Sequence, residues 1–312
     1  MRRTGVGPRL QHRRPAHPAI DEPARRPLRQ ALHGTPRLKT HALQPPPSPP
    51  APRWLRVWRY LRLALHLAQG LLTVLTVYPL TGDATHRSLR RRWSQRLLAI
   101  IGVELRIAGH AIQPGCMLVA NHISWVDIFV INALAPSAFV SKAEVRGWPL
   151  IGRLAARNET VFLRRGSRGH AKIINAEIAA LLDAGRNVAV FPEGTTTDGN
   201  HILHFHAALL QPAIECGHPI QPLALSYAGA DEQPSRAAAY DGDLTLGQSL
   251  GKILGEQRLI ARIDVAAPIA TEGIHRRDVA AMAHSAIVAR LPSVGDVTAH
   301  SPRNEEAGKK VA

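Results

Sequence analysis

Cysteine is almost absent: Cys116 and Cys216 are the only two in 312 residues. That excludes a disulfide-built secreted scaffold. Their spacing matches neither a CxxC zinc pattern nor a thioredoxin-like one, so both are expected as reduced thiols facing a cytoplasm. Aromatic residues are missing from the front of the chain. No Phe, Tyr or Trp precedes Trp54, while 12 of the 24 prolines do. Acidic residues are scarce there too. Residues 1–62 carry 14 Lys and Arg against Asp21 and Glu22, and the remainder of the +16 net charge is only +4. The basic character is therefore a front end attached to a nearly balanced domain. The front end has no apolar core segment of the kind a secretory signal needs. Residues 1–52, ending in PPPSPP at 45–50, are expected to form a disordered basic tail, because they cannot bury enough apolar area to offset ordering entropy. A short tail, 293–312, is expected at the other end. Between them, an apolar share of 45% excludes wholesale disorder.

Charge is missing from a second place. Residues 63–82, LALHLAQGLLTVLTVYPLTG, contain no Asp, Glu, Lys or Arg. Twenty helical residues reach about 30 Å, the thickness of a bilayer core. His66, Gln69, Pro79 and several Thr weaken the run as a span. Trp54, Trp58, Tyr60 and Tyr78 stand near its ends, where interfacial anchors belong. Arg53, Arg56, Arg59 and Arg62 precede it, and Arg87, Arg90, Arg91, Arg92 and Arg96 follow it. Basic flanks on both sides suit a segment that dips into one leaflet and returns. Leu89, Trp93, Leu97, Ile100 and Ile101 then follow helical spacing among arginines, as in an interfacial helix. Residues 53–101 are accordingly expected to form a membrane-attaching helical pair; the plainer reading is two core helices of a soluble protein.

From Val103 the pattern is α/β. Apolar runs at 103–108, 116–120, 138–141, 160–163, 187–191, 220–227 and 259–266 read as strands. Helical stretches are expected at about 125–134, 169–184, 202–216 and 275–291, with Gly185 as a C-cap. Residues 102–292 thus predict a mixed, largely parallel sheet flanked by helices.

Three constellations follow strands. The first is Asn121-His122-Ile123-Ser124-Trp125-Val126-Asp127. A histidine acting as a base needs a carboxylate to orient it. On a straight helix residues five apart point about 140° from each other, so a turn must bring His122 and Asp127 together. Ser124-x-x-Asp127 reads equally as a variant capping box, although capping leaves Asn121 and His122 unexplained. The second is Phe191-Pro192-Glu193-Gly194-Thr195-Thr196, where a glycine admits close backbone approach and hydroxyls can donate; a polar turn is the plain alternative. The third is Phe162-Leu163-Arg164-Arg165-Gly166, with guanidinium groups suited to an anion, or a solvated basic turn.

Taken in order, HxxxxD, the apolar-Arg segment and FPEGT resemble the lysophosphatidate-type glycerolipid acyltransferases over roughly residues 85–290, with Pro219-Ile220-Gln221-Pro222-Leu223 as a fourth block. The resemblance implies acyl transfer from a thioester, acyl-ACP or acyl-CoA, to the hydroxyl of a lysolipid, first of all 1-acyl-sn-glycerol-3-phosphate. It implies His122 as general base and Asp127 as its partner. Arg164 would bind the acceptor phosphate, and Glu193, Gly194 and Thr195 would line the acceptor site. It further implies membrane lipids as partners, a place on the cytoplasmic face of the inner membrane, and no cofactor, metal or nucleic acid. His204-Phe205-His206 stands where the family often has Phe-Lys-x-Gly. SKAEVR followed by WPLIG at 148–152 resembles the sister group that acylates lyso-ornithine lipid. His201, His204 and His206 share no helix face and make a poor metal set. A Ser124-His122-Asp127 hydrolase and a non-enzymatic basic membrane or nucleic-acid binder are the competing readings.

Overall fold

The computed structural model describes residues 49–142, 161–163 and 168–292. Among them are seven strands: β1 (Val103–Gly109), β2 (Met117–Ala120), β3 (Ser137–Lys142), β4 (Val161–Leu163), β5 (Asn187–Val190), β6 (Ile220–Ala228) and β7 (Leu259–Val265). Every expected strand is present. They form one sheet in the order β1-β7-β6-β2-β5-β3-β4. All neighbours are parallel except β6 and β7. The helices are α1 (Arg53–Thr76), α2 (Asp83–Ile101), α3 (Asp127–Leu134), α4 (Arg168–Asp183), α5 (Gln211–Glu215), α6 (Leu246–Gly255) and α7 (Arg276–Val288).

Side chains alternate across a strand, and the central strands use both faces. On β2, Leu118 and Ala120 join one core with α2, α3 and α6, while Met117 and Val119 join another with α4, α5 and α7. This double burial explains why β2 reads as an unbroken apolar run rather than an alternating one. Because β2 and β5 are paired, Val119 beside Val190, the segments leaving their carboxyl ends are neighbours. Ligands in open α/β sheets gather at such ends.

Pro222 lies in a central strand, where proline is rare. Its carbonyl accepts from Ala266 N–H at 2.9 Å, but it has no N–H to return. The Ala266 carbonyl takes Gln221 Nε2–H instead, at 3.2 Å. Gln221 is fully buried, also donating to the Ala111 carbonyl and accepting from Gln113 N–H. The Pro219–Leu223 block is thus a sheet repair, pairing with β2 upstream of His122.

Three expectations need correction. The helix expected at 202–216 is a 3-10 turn, Ala207–Leu210, leading into the short α5. Pro212 cannot donate within a continuous helix but suits a first turn. Helix α6 was absent from the expectations; its signal is a capping box between Thr245 and Gln248. The uncharged run 63–82 is not one helix, since α1 starts ten residues earlier and Pro79 sits in a 3-10 turn, Tyr78–Leu80. Arg164 and the segment 148–152 lie outside the described residues.

Helix α1 is fastened to the sheet domain. Arg59 is buried and donates to the carbonyls of Leu254, Glu256 and Gln257 at 3.3, 2.6 and 2.7 Å. These are carbonyls at and just past the end of α6, which that helix cannot satisfy internally. Its guanidinium lies so close that a Cβ at Gly102, where φ is +82°, would meet Nη2 at 2.3 Å. His66 stacks on Trp93 at 4.6 Å and donates Nε2–H to the Trp93 carbonyl, while Trp93 Nε1–H donates back to the His66 carbonyl. Arg59→Leu keeps an apolar stem but strands three carbonyls, so it should cost about 3 kcal/mol. Chemical unfolding in detergent measures this; a loss below about 1 kcal/mol would mean that the three bonds contribute little.

Candidate active site

Asn121 ends β2 by continuing it with a side chain. Its Nδ2–H donates to the Leu225 carbonyl at 2.9 Å and its Oδ1 accepts from Leu225 N–H at 2.7 Å. The side-chain amide thereby makes the two bonds a strand backbone would make to β6, and the main chain is free to turn away. His122 follows in that turn, and Asp127 opens α3.

The turn brings the pair together. His122 Nδ1 lies 2.9 Å from Asp127 Oδ2. The same oxygen accepts from the N–H groups of Ile123 and Ser124 at 2.8 and 2.9 Å, and Oδ1 accepts from Tyr227 O–H at 2.6 Å. Asp127 is fully buried, while the His122 side chain keeps 19% exposure. Capping and pairing are therefore one arrangement. The carboxylate half of the capping box is made, Ser124 N–H to Asp127, while Ser124 Oγ accepts from Val126 N–H at 3.2 Å. With Ser124 fully buried and turned to that bond, it is not placed as a nucleophile. With Nδ1 facing Asp127, Nε2 is the nitrogen left for a reacting group.

The backbone of His122 is held from the next strand. Glu193 Oε1 accepts from His122 N–H at 2.7 Å and Oε2 from Leu203 N–H at 2.8 Å. Thr197 N–H donates to the His122 carbonyl at 2.8 Å, and Tyr240 N–H to the Ile123 carbonyl at 2.9 Å. Phe191 stacks flat under the imidazole, centroids 3.9 Å apart. Glu193 thus points inward with both oxygens engaged, not toward an open acceptor site. Gly194 has φ +72°, the left-handed region that favours glycine, and lets the chain reverse after Glu193. Thr195 is exposed beside it. His204 and His206 meet edge to face with centroids 6.3 Å apart, and His201 pairs with Asp198 at 3.1 Å.

Sequence reasoning missed two members. Tyr227 sits 100 residues from Asp127 on an apolar strand, and nothing local marks it. Burial first, then the Asp127 charge and bond, hold its hydroxyl well above the usual range, so it stays a donor. Thr197 was legible only as one hydroxyl among three in a row.

Burial pushes the Glu193 carboxyl up to about 7 from 4.5, against its two backbone bonds and with help from Asp127. The folded state therefore keeps this proton, between about pH 4.5 and 7, where the unfolded chain has released it. Its contribution to stability is present below that window and falls as pH rises through it, by on the order of 3 kcal/mol. Glu193→Gln loses one acceptor but also this slope. The variant should be less stable at about pH 5, with the gap to wild type closing by about pH 8. Parallel stability–pH curves for the two would show that Glu193 does not titrate in this range.

Comparisons with known proteins give the family. A family model described as Acyltransferase matches residues 103–226, from β1 into β6. A lyso-ornithine lipid O-acyltransferase of Pseudomonas aeruginosa is 43% identical over 199 residues, 64% of this chain and 76% of that protein. A 1-acyl-sn-glycerol-3-phosphate acyltransferase of Neisseria meningitidis is 35% identical over 164 residues, 53% of this chain and 64% of that protein. The crystal structure of the LPA acyltransferase PlsC from Thermotoga maritima superimposes with a TM-score of 0.59 at 18% identity, over 75% of this chain and 92% of that one; this likeness speaks to the fold. A relative this similar, spanned over three quarters of its length, and a family pattern running through the strand ends that carry His122 and Glu193 make this chain a member of the acyltransferase family.

Proposed function

We propose that the chain transfers an acyl group from a thioester to the free hydroxyl of a lysolipid, with residues 102–292 as the catalytic part. The observation that carries this is the His122–Asp127 contact at 2.9 Å, with Nε2 turned away from the carboxylate. A lipid hydroxyl is too weak an acid to ionise at neutral pH, and imidazole is the side chain suited to take its proton as attack proceeds. The hydroxyl oxygen bonds to the thioester carbonyl carbon while Nε2 takes the proton. Asp127 steadies the imidazolium. The C–S bond then breaks and the leaving thiolate recovers that proton. No acyl-enzyme forms, in keeping with the inward Ser124. Asn121, Glu193 and Thr197 position the histidine; Gly194 and Thr195 stand on the acceptor side, and Arg164 is the candidate for its anionic headgroup.

The Pseudomonas relative favours lyso-ornithine lipid as acceptor over the lysophosphatidate that motif order puts first. The donor in this reading is a thioester, acyl-ACP or acyl-CoA. His122→Ala should lower turnover about 10²–10⁴-fold and, by removing one of the four donors to the buried Asp127 carboxylate, also lower stability by about 1–3 kcal/mol while the protein stays folded; Asp127→Asn should lose most of the rate as well. The check is a lysolipid panel with product mass spectrometry. His122→Ala retaining more than about a tenth of wild-type activity would sink the mechanism, and lysophosphatidate that neither reacts nor competes would leave lyso-ornithine lipid.

We assign residues 53–101 to attachment on one leaflet, at the cytoplasmic face of the inner membrane. Arg53–Leu80 is long and apolar enough to cross a bilayer. Its two sides differ, however. Arg59, Leu63, His66 and Val74 are buried against the protein, whereas Trp54, Val57, Trp58, Leu61, Leu65, Leu72 and Leu75 are exposed. Spacings of three, four and seven make these seven one stripe, with Tyr60 and Leu67 exposed beside it. A helix packed along one side and apolar along the other lies in the interface. Trp58→Glu/Leu65→Glu should release the protein from vesicles at low salt, whereas about 1 M salt alone should not release wild type. Flotation assays measure both; salt release of wild type would make the attachment electrostatic.

A further inference from the structure

An open, shallow surface hollow of about 540 Å³ lies where three separate segments meet: Pro50–Arg56, the loop around Arg236, and the end of α6. Arg56, Arg236 and Lys252 line it, against one acid, Glu256. The cavity is built rather than incidental. Ala51 N–H donates to the Gly255 carbonyl at 2.7 Å, Pro50 bridges Glu256, and Arg59 fixes α1 to the same turn. Arg236 is held by Asp241 at 3.0 Å and Asp198 at 3.5 Å. Among the described residues, Arg56 and Lys252 have no carboxylate within ion-pair distance, and both are exposed. The first turn of α1 contains no acidic residue to offset them. Burial and Asp231 hold the Glu256 carboxyl above its ordinary range.

Two observations say what this positive cavity faces. Arg56 is two residues from Trp54 and from Trp58, about 200° round the helix from each. The cavity therefore opens away from the apolar stripe, on the side of α1 that a leaflet would not cover. It also adjoins the catalytic loops. Arg236 reaches Asp198, one residue beyond the Thr197 that holds the His122 carbonyl, and its own loop runs to Tyr240, which holds Ile123. A lysolipid reaches His122 from the leaflet; the thioester donor arrives from water. On the acyl-transfer reading above, we propose that Arg56, Lys252 and Arg236 form the binding site for a phosphate of the thioester donor, the group that a phosphopantetheine-borne acyl chain presents whether it comes on CoA or on an acyl carrier protein.

The test compares Arg56→Gln/Lys252→Gln with wild type, using acyl-CoA, acyl-ACP and acyl-pantetheine, which carries the thioester without phosphate. The double variant should raise the KM for phosphorylated donors about tenfold, leave kcat and the acceptor KM unchanged, and leave acyl-pantetheine turnover as in wild type. A loss with both phosphorylated donors assigns the site to the phosphopantetheine phosphate; a loss with acyl-CoA alone assigns it to the nucleotide phosphates. A loss confined to acyl-ACP would mean a protein-docking patch, and an equal loss with acyl-pantetheine a general defect; either overturns the proposal, as does no loss at all. Calorimetric titration of the full chain with CoA alone reads the same site without turnover: wild type should bind at least tenfold tighter than the variant. CoA binding lost in the variant while every lysolipid fails as acceptor would uphold the site and reject the proposed reaction, so the two fail separately. Arg92→Gln/Arg96→Gln removes equal charge from α2; a matching rise in donor KM there would reduce the cavity to diffuse attraction and overturn it.

Discussion

A buried carboxylate with four donors is the constraint around which this site is organised. Asp127 has no solvent to neutralise its charge, so its oxygens must be met by the protein. They are met by a histidine, two main-chain N–H groups and a tyrosine hydroxyl, drawn from the turn after β2 and from β6. Satisfying that carboxylate fixes the turn, the start of α3 and the orientation of the imidazole at once. The geometry that suits proton transfer is thus the same geometry that makes the buried charge tolerable.

The histidine is held equally firmly through its backbone. Its N–H is taken by Glu193 and its carbonyl by Thr197, both from the segment after β5. Motifs 71 residues apart act as one unit because β2 and β5 are adjacent parallel strands that release their chains at the same edge. A carboxyl that burial raises to about 7 is a costly way to hold a backbone amide. It also bonds Leu203 N–H, and so ties the loop after FPEG to the catalytic turn. Glu193 is better described as a strut than as a ligand for substrate hydroxyls.

The same economy appears at α1. A long apolar helix could have been a detachable anchor, but Arg59 fills the carbonyl end of α6 and His66 locks to Trp93. Through these contacts the exposed apolar stripe has a fixed relation to the sheet. On the proposed function, one helix would then supply both a lipid-facing side and a water-facing side.

Much of this was legible in the chain alone. Seven apolar-rich runs marked seven strands, and the central β2, buried on both faces, is continuously apolar. Local chemistry also marked His122 and Asp127 as a pair that required a turn, and the arginines and tryptophans around an uncharged run as candidates for an interface. Three things were decided only by the fold. Tyr227 joins Asp127 across 100 residues, and Gln221 repairs the gap left by Pro222. Glu193 turns its carboxylate inward. Each depends on which strands lie side by side and which way a side chain points at a strand's end. Sequence spacing carries helix and strand periods, but strand order arises from packing both faces of the sheet, and that is a property of the whole chain.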